Sequence, residues 1–307
     1  MMRWRKIKHL FVPNHEAPWM ISHAANPMAV WQQEGIYRIY FTCRDAQQRS
    51  HISYIDVDFN KHFEVVSIAN EPVIAPGEPG LFDDSGTAMG YYLLIDNVPH
   101  IYYLGWNLKV TVPWLNAIGL AKLNTQTGLF EKVSSAPIMD RSHEDPFSIS
   151  YPSVLYDDGK YKMWYGSNLA WGKTEQSMQH IIKYAESNDG IHWVRSHHIA
   201  VNLLYNGEYA LSKPFVIKRN NLFYMWYSYR GREAITSYRI GMAISADGIH
   251  WERKDNEVGI DVSASGWDSE MICYPSIIEH NRKTYMLYNG NGYGKTGIGI
   301  AELNESI

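Results

Sequence analysis

The fold is decided by the stretch EYALSKPFVIKRNNLFYMWYSYRGREAITSYRIGMAISADGIHWER, which runs from Glu208 to Arg253. Its β-branched and aromatic residues are typical of strands, and Asp247-Gly248 is a strong turn signal for a hairpin. The four predicted strands cover 211–218, 222–229, 238–245 and a segment that begins near Trp251. The stretch therefore predicts a four-stranded antiparallel meander.

The same pattern recurs along the chain with a period of roughly 62 residues. A proline in the first strand marks four of the units: Pro27, Pro152, Pro214 and Pro275. Met89 or Gly90 lies where the proline of a further unit is missing. A fixed period with four strands per repeat indicates a propeller. We predict an all-β fold, a five-bladed β-propeller with four-stranded antiparallel blades, as a single domain over residues 1–307.

The last unit, 270–303, contains three evident strands instead of four. The N-terminal segment 4–12 reads as a strand that precedes the first unit. We expect this N-terminal strand to complete the last blade and close the ring, because an unpaired edge is a liability in a sheet protein.

Composition excludes several classes of protein. The formal net charge is −4 and the pI about 6.3, so no basic footprint for nucleic acid is present. No apolar run has the length of a signal peptide or a membrane span, which predicts a cytoplasmic protein with no membrane contact. The two cysteines, Cys43 and Cys273, are expected to be free buried thiols.

Polar residues precede the marker prolines: Asn26, Tyr151, Lys213 and Tyr274. On buried inner strands these side chains would be unfavourable unless they line a wet cavity, so we expect them to bind substrate. The alternative for each tyrosine is a core position with its hydroxyl bonded to the backbone. Arg44 and Arg230, together with Lys213, favour an anionic ligand, either phosphate or an acidic sugar. Trp106 is expected to stack on a sugar ring.

Carboxylates cluster just before the first strands of several units, and we select four of them as the catalytic set: Asp84, Asp145, Glu208 and Glu270. Sugar chemistry needs one protonated acid for the leaving oxygen and one carboxylate as base or nucleophile. We expect Glu208 or Asp145 to be the general acid and Asp84 the base. The alternative is that these acids are solvated loop residues or turn caps.

Other catalytic signatures are missing from the sequence. It has no phosphate-cradling glycine loop, no G-x-S-x-G elbow and no nucleophilic Cys/His pattern. No metal-ligand spacing stands out among the histidines, so the sequence predicts no metal site and no cofactor.

The repeated phrase of proline, turn, YxMWYS and IGxAxSxDGIHW resembles the five-bladed β-propeller glycosidase superfamily. That superfamily includes the family 43 arabinanases and xylosidases, the family 32 and 68 invertases and levansucrases, and the family 130 mannoside phosphorylases. The resemblance covers essentially the whole chain and implies an axial site with carboxylates from different blades. Family 43 enzymes carry an Asp where this chain has Asn26, whereas family 130 enzymes carry an Asn-Pro, as Asn26-Pro27 does here.

Three functions follow as hypotheses. The first is a glycoside hydrolase or phosphorylase that acts on a small oligosaccharide, with inorganic phosphate as a second candidate ligand. The second is a non-catalytic carbohydrate-binding propeller or a module of glycan assembly. The third is an enzyme for acidic sugars.

Overall fold

The computed structural model describes residues 2–171, 178–204, 207–232 and 235–304. Its regular secondary structure is almost entirely β-strand, which confirms the all-β prediction. The strands are β1 (Trp4–Phe11), β2 (Ser22–Gln33), β3 (Ile36–Arg44), β4 (Ser50–Asp58), β5 (Glu64–Ile68), β6 (Gly86–Ile95), β7 (Val98–Leu108), β8 (Trp114–Leu123), β9 (Phe130–Lys132), β10 (Ile149–Asp157), β11 (Lys160–Ala170), β12 (Gln179–Ser187), β13 (Val194–Val201), β14 (Ala210–Arg219), β15 (Leu222–Arg230), β16 (Arg239–Ser245), β17 (Glu252–Arg253), β18 (Cys273–His280), β19 (Lys283–Asn289) and β20 (Ile298–Leu303). A short 3-10 turn covers Asp255–Glu257, and one helical turn, α1, covers Asn291–Gly294.

Antiparallel pairing groups these strands into meanders of four, which we call units. Units 1 to 4 are β2–β5, β6–β9, β10–β13 and β14–β17, and unit 5 is β18–β20 with β1. Single parallel bridges join units 1 and 2, at Ser50 and Gly86, and units 3 and 4, at His180 and Ala210. The hydrogen-bonded sheets do not close on themselves.

The N-terminal strand has the predicted partner. β1 pairs with β20 in antiparallel register, from Trp4 opposite Leu303 to Phe11 opposite Ile298. The last unit therefore takes its fourth strand from the start of the chain, as the sequence indicated.

Side chains from several units share one core. The first strands β2, β6, β10, β14 and β18 each contact the first strand of the next unit, and β18 contacts β2. The largest apolar cluster includes residues of every unit, for example Met28, Met89, Val154, Phe215 and Met286. The units therefore depend on their neighbours to bury their faces.

A buried tyrosine on the second strand recurs with the sequence period: Tyr103, Tyr165, Tyr227 and Tyr288. Each hydroxyl donates to a carboxylate of its own unit, as Tyr103 does to Asp83 and Tyr288 to Asp268. Lys132 and Lys6, from the fourth strands, neutralise these two acids at 2.6 and 2.7 Å. We call this arrangement the acid–tyrosine latch.

The latch explains the repeated IGxA phrase. The residue paired with the latch tyrosine on the third strand is glycine in three units: Gly119, Gly241 and Gly299. A methyl group at Gly119 would lie 2.2 Å from Tyr103 Cζ, so any side chain would displace the ring. In unit 3 the position holds Lys183, whose ammonium donates to the latch acid Asp145.

The first strands are interrupted at one equivalent position. The pairing register shifts around Asn26, Tyr151, Lys213 and Tyr274, and also around Gly90 of unit 2. The four non-glycine residues have left-handed φ of 54°, 36°, 52° and 56°. A bulge of this kind re-aims a side chain and is frequent near functional sites.

Two further predictions concern the whole chain. Cys43 and Cys273 are both free and buried, as expected. No helix among the described residues is long and apolar enough to cross a bilayer.

We predict that Gly119→Ala lowers the free energy of unfolding by about 1–3 kcal/mol, because the new methyl group overpacks the buried Tyr103 ring. Urea unfolding measures the change. In a Tyr103→Leu background the same substitution should be better tolerated, since the ring is gone. An equal loss in both backgrounds would show that the glycine is not required by the tyrosine.

Candidate functional site

The candidate site lies where the left-handed residues of the first strands meet. The rings of Tyr151 and Tyr274 are 5.7 Å apart, which brings units 3 and 5 together. The side-chain amide of Asn26, from unit 1, lies within hydrogen-bonding reach of the Tyr151 hydroxyl. Burial raises the pKa of Tyr151 to about 12, so its hydroxyl stays protonated and can donate.

Asn26 is held rigidly but keeps one free acceptor. Its backbone N–H donates to Asn289 Oδ1 at 2.9 Å, and its Nδ2 donates to Thr42 Oγ1 at 3.2 Å. The side chain is buried, and its Oδ1 has no hydrogen-bond partner among the described residues. A buried polar atom without a partner is unfavourable, so this oxygen is suited to accept from a ligand hydroxyl.

Lys213 is fully buried and crosses from unit 4 to unit 2. Its Nζ donates to the backbone carbonyl of Gly90 at 2.7 Å. No carboxylate among the described residues pairs with it, and burial lowers its pKa to about 7. An anion bound beside this amine would restore its charge.

Two further cations lie near the same centre: Arg44 of unit 1 and Lys295 of unit 5. Arg44 lies close enough to both His23 and Tyr151 to perturb their ionisation. Burial, together with the charges of Arg44 and Lys295, lowers the pKa of His23 to about 4. Neither Arg44 nor Lys295 forms an ion pair within the described part of the chain, so both remain available to a ligand anion.

Arg230 lies in a ring of tyrosines. Its Nη1 donates to Tyr293 Oη at 2.7 Å, and its guanidinium lies 4.7 Å from the centre of the Tyr238 ring. Tyr238 in turn contacts Tyr274 at 5.9 Å between ring centres. The contacts thus run from Arg230 through Tyr238 to Tyr274 and Tyr151.

The tryptophans occupy different surroundings. Trp106 donates from Nε1 to Ser50 Oγ at 2.7 Å and lies 5.9 Å from the Arg44 guanidinium, beside the candidate site. Trp267 instead stacks on His9 and Tyr288, with ring centres 4.4 and 5.4 Å away. Trp106 is therefore the tryptophan best placed for a ligand.

Asp145, one of the expected catalytic acids, lies in the latch of unit 3. It is fully buried, accepts from Tyr165 and Ser167, and pairs with Lys183 and Arg195 at 2.9 and 3.1 Å. Burial acts to raise the pKa of Asp145, but these hydrogen bonds and the Lys183 charge outweigh it and the pKa is lowered. Such a carboxyl stays ionised and does not suit the role of proton donor.

Glu208 occupies the comparable place in unit 4. Its two oxygens accept from Arg232 and from both terminal nitrogens of Arg253, at 2.7–3.0 Å. The latch tyrosine here, Tyr227, donates to Asp255, which shares the same two arginines. Glu208 is thus fully engaged in an ion-pair network away from solvent.

The other two expected acids are more accessible. Asp84 accepts from the Gly80 N–H and from Ser85 Oγ, both at 2.9 Å, in the loop that leads to the Trp106 side of the site. The Glu270 side chain is exposed and its backbone N–H donates to Asn291. Of the four acids, Asp84 and Glu270 keep carboxylates that no described cation neutralises.

Four residues of the site were not predicted from the sequence: His23, Tyr238, Tyr293 and Lys295. Tyr238 lies directly before β16, Tyr293 lies on α1 and Lys295 directly follows it, all far from the marker prolines in the chain. A signal existed for His23 alone, since it lies three residues before Asn26 in the sequence.

No family model matches the sequence. The Mycobacterium tuberculosis (strain H37Rv) protein named "Uncharacterized protein Rv1502" is 42% identical over 302 residues, which are 98% of this chain and 99% of that protein. A 1,2-beta-oligomannan phosphorylase from Thermoanaerobacter sp. (strain X514) is 26% identical over 133 residues, 40% of this chain and 44% of that protein.

Solved structures share the fold across nearly the whole chain. One glycoside hydrolase structure has a TM-score of 0.72 at 14% identity, covering 98% of this chain and 93% of that protein. A Bacteroides ovatus glycosyl hydrolase has a TM-score of 0.71 at 16% identity with the same coverage. A third structure comes from the GH130 family of mannoside phosphorylases, a family that contains glycoside hydrolases that target beta-1,2 mannosidic linkages. Its TM-score is also 0.71, at 14% identity and with the same coverage. The likeness to this glycosidase superfamily is confirmed at the level of the fold.

We predict that Lys213 makes stability depend on pH. The folded protein holds the amine neutral above a pKa of about 7, whereas the unfolded chain, with the ordinary value of 10.5, still binds a proton. The free energy of unfolding contributed by this group therefore rises between these values, by up to about 1.4 kcal/mol per pH unit.

Urea unfolding of wild type and Lys213→Met, at several pH values across this window, checks the prediction. The stability of wild type relative to the variant should increase with pH. Parallel pH profiles would mean that Lys213 ionises in the folded state as it does in water.

Proposed function

Because the protein belongs to the same family as the Mycobacterium tuberculosis protein Rv1502, and has the fold of glycoside hydrolases and mannoside phosphorylases, we propose that it is a glycoside-processing enzyme. The observation that carries the proposal is the meeting of strained, polar residues from several units at one centre. Non-glycine left-handed residues store strain and cluster at ligand sites. The short match to a 1,2-beta-oligomannan phosphorylase agrees with a carbohydrate ligand.

The units form a five-bladed propeller in this proposal. The cyclic contacts of β2, β6, β10, β14 and β18 support it, since the first strands of propeller blades surround the axis. The candidate site then lies on the axis, with Asn26, Lys213 and Tyr274 as its buried floor. His23, Arg44 and Tyr151, which are half-buried, form the wall that a ligand would reach.

The ligand carries an anionic group, either inorganic phosphate as co-substrate or an acid group on the sugar. Lys213, Arg44 and Lys295 have no carboxylate partner within the described residues. Arg230 lies over the ring of Tyr238, which in turn contacts Tyr274 of the centre. Arginine binds phosphate and carboxylate through paired N–H groups. Asn26 Oδ1 and the Tyr151 hydroxyl would bind sugar hydroxyls, and Trp106 would stack on the ring.

We assign acid–base work to Asp84, with Glu270 as the second carboxylate. Both are more accessible than Asp145 and Glu208. Asp84 is next to Ser85, whose N–H donates to the Trp106 carbonyl, and the Glu270 N–H donates to Asn291 of α1. Asp145 and Glu208 hold loops through buried ion pairs in this assignment. A phosphorylase needs one acid and a phosphate site, because phosphate itself attacks the anomeric carbon.

Turnover decides the reaction class. The protein would be incubated with aryl glycosides and short mannose oligosaccharides, neutral and acidic, each with and without phosphate. Sugar phosphate formed only in the presence of phosphate would identify a phosphorylase. Phosphate-independent release from acidic substrates would identify an enzyme for sugar acids. Release from no substrate, by a folded protein, would contradict the enzyme assignment.

We predict that Asp84→Asn and Asp145→Asn separate catalysis from stability. Asp84→Asn should lower kcat by roughly 100-fold or more with little change in Tm, as expected for a general acid or base. Asp145→Asn should lower the free energy of unfolding by about 3–5 kcal/mol, because Lys183 and Arg195 lose their buried partner.

The two readouts are kcat and thermal unfolding on the same preparations. Wild-type turnover in Asp84→Asn would remove Asp84 from the mechanism. A stable, inactive Asp145→Asn would return Asp145 to the catalytic set.

A second function has one observation in its favour. Asn26, an amide, occupies the position where family 43 enzymes carry a carboxylate, so a propeller that binds sugars without cleaving them fits this centre. Sugar binding by calorimetry without turnover, and unchanged by Asp84→Asn, would support it.

A further inference from the structure

We propose a second site, for a zinc-class metal ion, formed by His143, Glu144 and His197 at the outer edge of unit 3. The site is independent of the glycoside chemistry proposed for the centre. His143 and Glu144 lie in the loop before β10, and His197 lies on the outer strand β13. The three residues do not form a recognisable motif in the sequence, because 53 positions separate Glu144 from His197.

The donor atoms have nearly the spacing of a metal site. His143 Nε2 lies 3.7 Å and His197 Nε2 3.5 Å from the same oxygen, Glu144 Oε1. All three ligand atoms lie within 4.8 Å of one another. Tetrahedral zinc with bonds of about 2.0–2.1 Å separates neighbouring donors by roughly 3.4 Å, so small rotations close the site.

The backbone around the donors is already fixed. His197 has a left-handed φ of 54° where the pairing of β12 with β13 shifts, and this bulge turns its side chain toward Glu144. The Glu144 carbonyl accepts from Lys183 at 2.7 Å, and the adjacent Asp145 anchors the loop in its latch. An ion would therefore meet donors on two rigid segments.

The donor set selects the ion. Two imidazoles and one carboxylate are typical ligands of zinc and leave a fourth position for water. Calcium and magnesium prefer oxygen ligands throughout. The Glu144 side chain is 12% exposed whereas the two imidazoles are 83% and 66% exposed, so an ion can enter from solvent. A zinc ion bound by these three residues would link the loop before β10 to strand β13.

Calorimetry with zinc chloride on tag-free, EDTA-treated full-length protein tests the site. We expect one zinc ion per chain, a rise in Tm on loading, and a cobalt complex with the intense visible absorption of tetrahedral coordination. His197→Gln and Glu144→Gln should each weaken zinc affinity at least 10-fold.

His192→Gln is the matched control, because His192 is also an exposed histidine, at 86%, and pairs with a single carboxylate, Asp189. It should leave zinc affinity unchanged. Absence of stoichiometric uptake by wild type would overturn the proposal. So would an affinity that His197→Gln and His192→Gln lower alike, which would indicate non-specific surface histidines. Retained native Tm in the variants without zinc excludes misfolding as the cause of a loss.

Discussion

The structure depends on the buried hydrogen bond between a latch tyrosine and a carboxylate. In units 2 to 5 the hydroxyl of the second-strand tyrosine meets an acid, and a cation from within the same unit neutralises that acid. A hydrogen bond to a charged group contributes about 1.5–3 kcal/mol, and a buried acid left without its partners would be strongly destabilising. In units 2, 3 and 5 the acid precedes the first strand, so the latch fixes the loop that enters the unit. In unit 4 the acid is Asp255, which follows the last strand, so the latch fixes that turn instead.

The site follows from that constraint. In units 1, 3, 4 and 5 the first strand bends through a left-handed residue before its proline and turns a polar side chain inward. Two of these side chains are buried without the partners that a stable core would supply. Within the described residues, Lys213 has no carboxylate beside it, and Asn26 Oδ1 has no hydrogen-bond donor. Burying Lys213 and Asn26 without these partners lowers the stability of the fold, at a position that suits ligand binding.

The repeat made most of the fold predictable. The meander of 208–253, its strand limits and the pairing of the N-terminal strand with the last unit all agree with the structure to within one or two residues at strand ends. The prolines also pointed to the bulged positions. The surroundings of the acids were less predictable, because nothing in the sequence shows that Lys183 and Arg195 pair with Asp145, or Arg253 with Glu208. Chain spacing does not reveal which charges meet across a unit.

Anion binding at the centre can be measured by titration calorimetry with inorganic phosphate and with glucuronate. Wild type and Arg44→Gln would be compared below and above the Lys213 pKa of about 7. We expect wild type to bind one of the two anions, more weakly at the higher pH where the free amine is neutral, and Arg44→Gln to bind it at least 10-fold more weakly. Binding of neither anion, or equal binding by both proteins at both pH values, would contradict it.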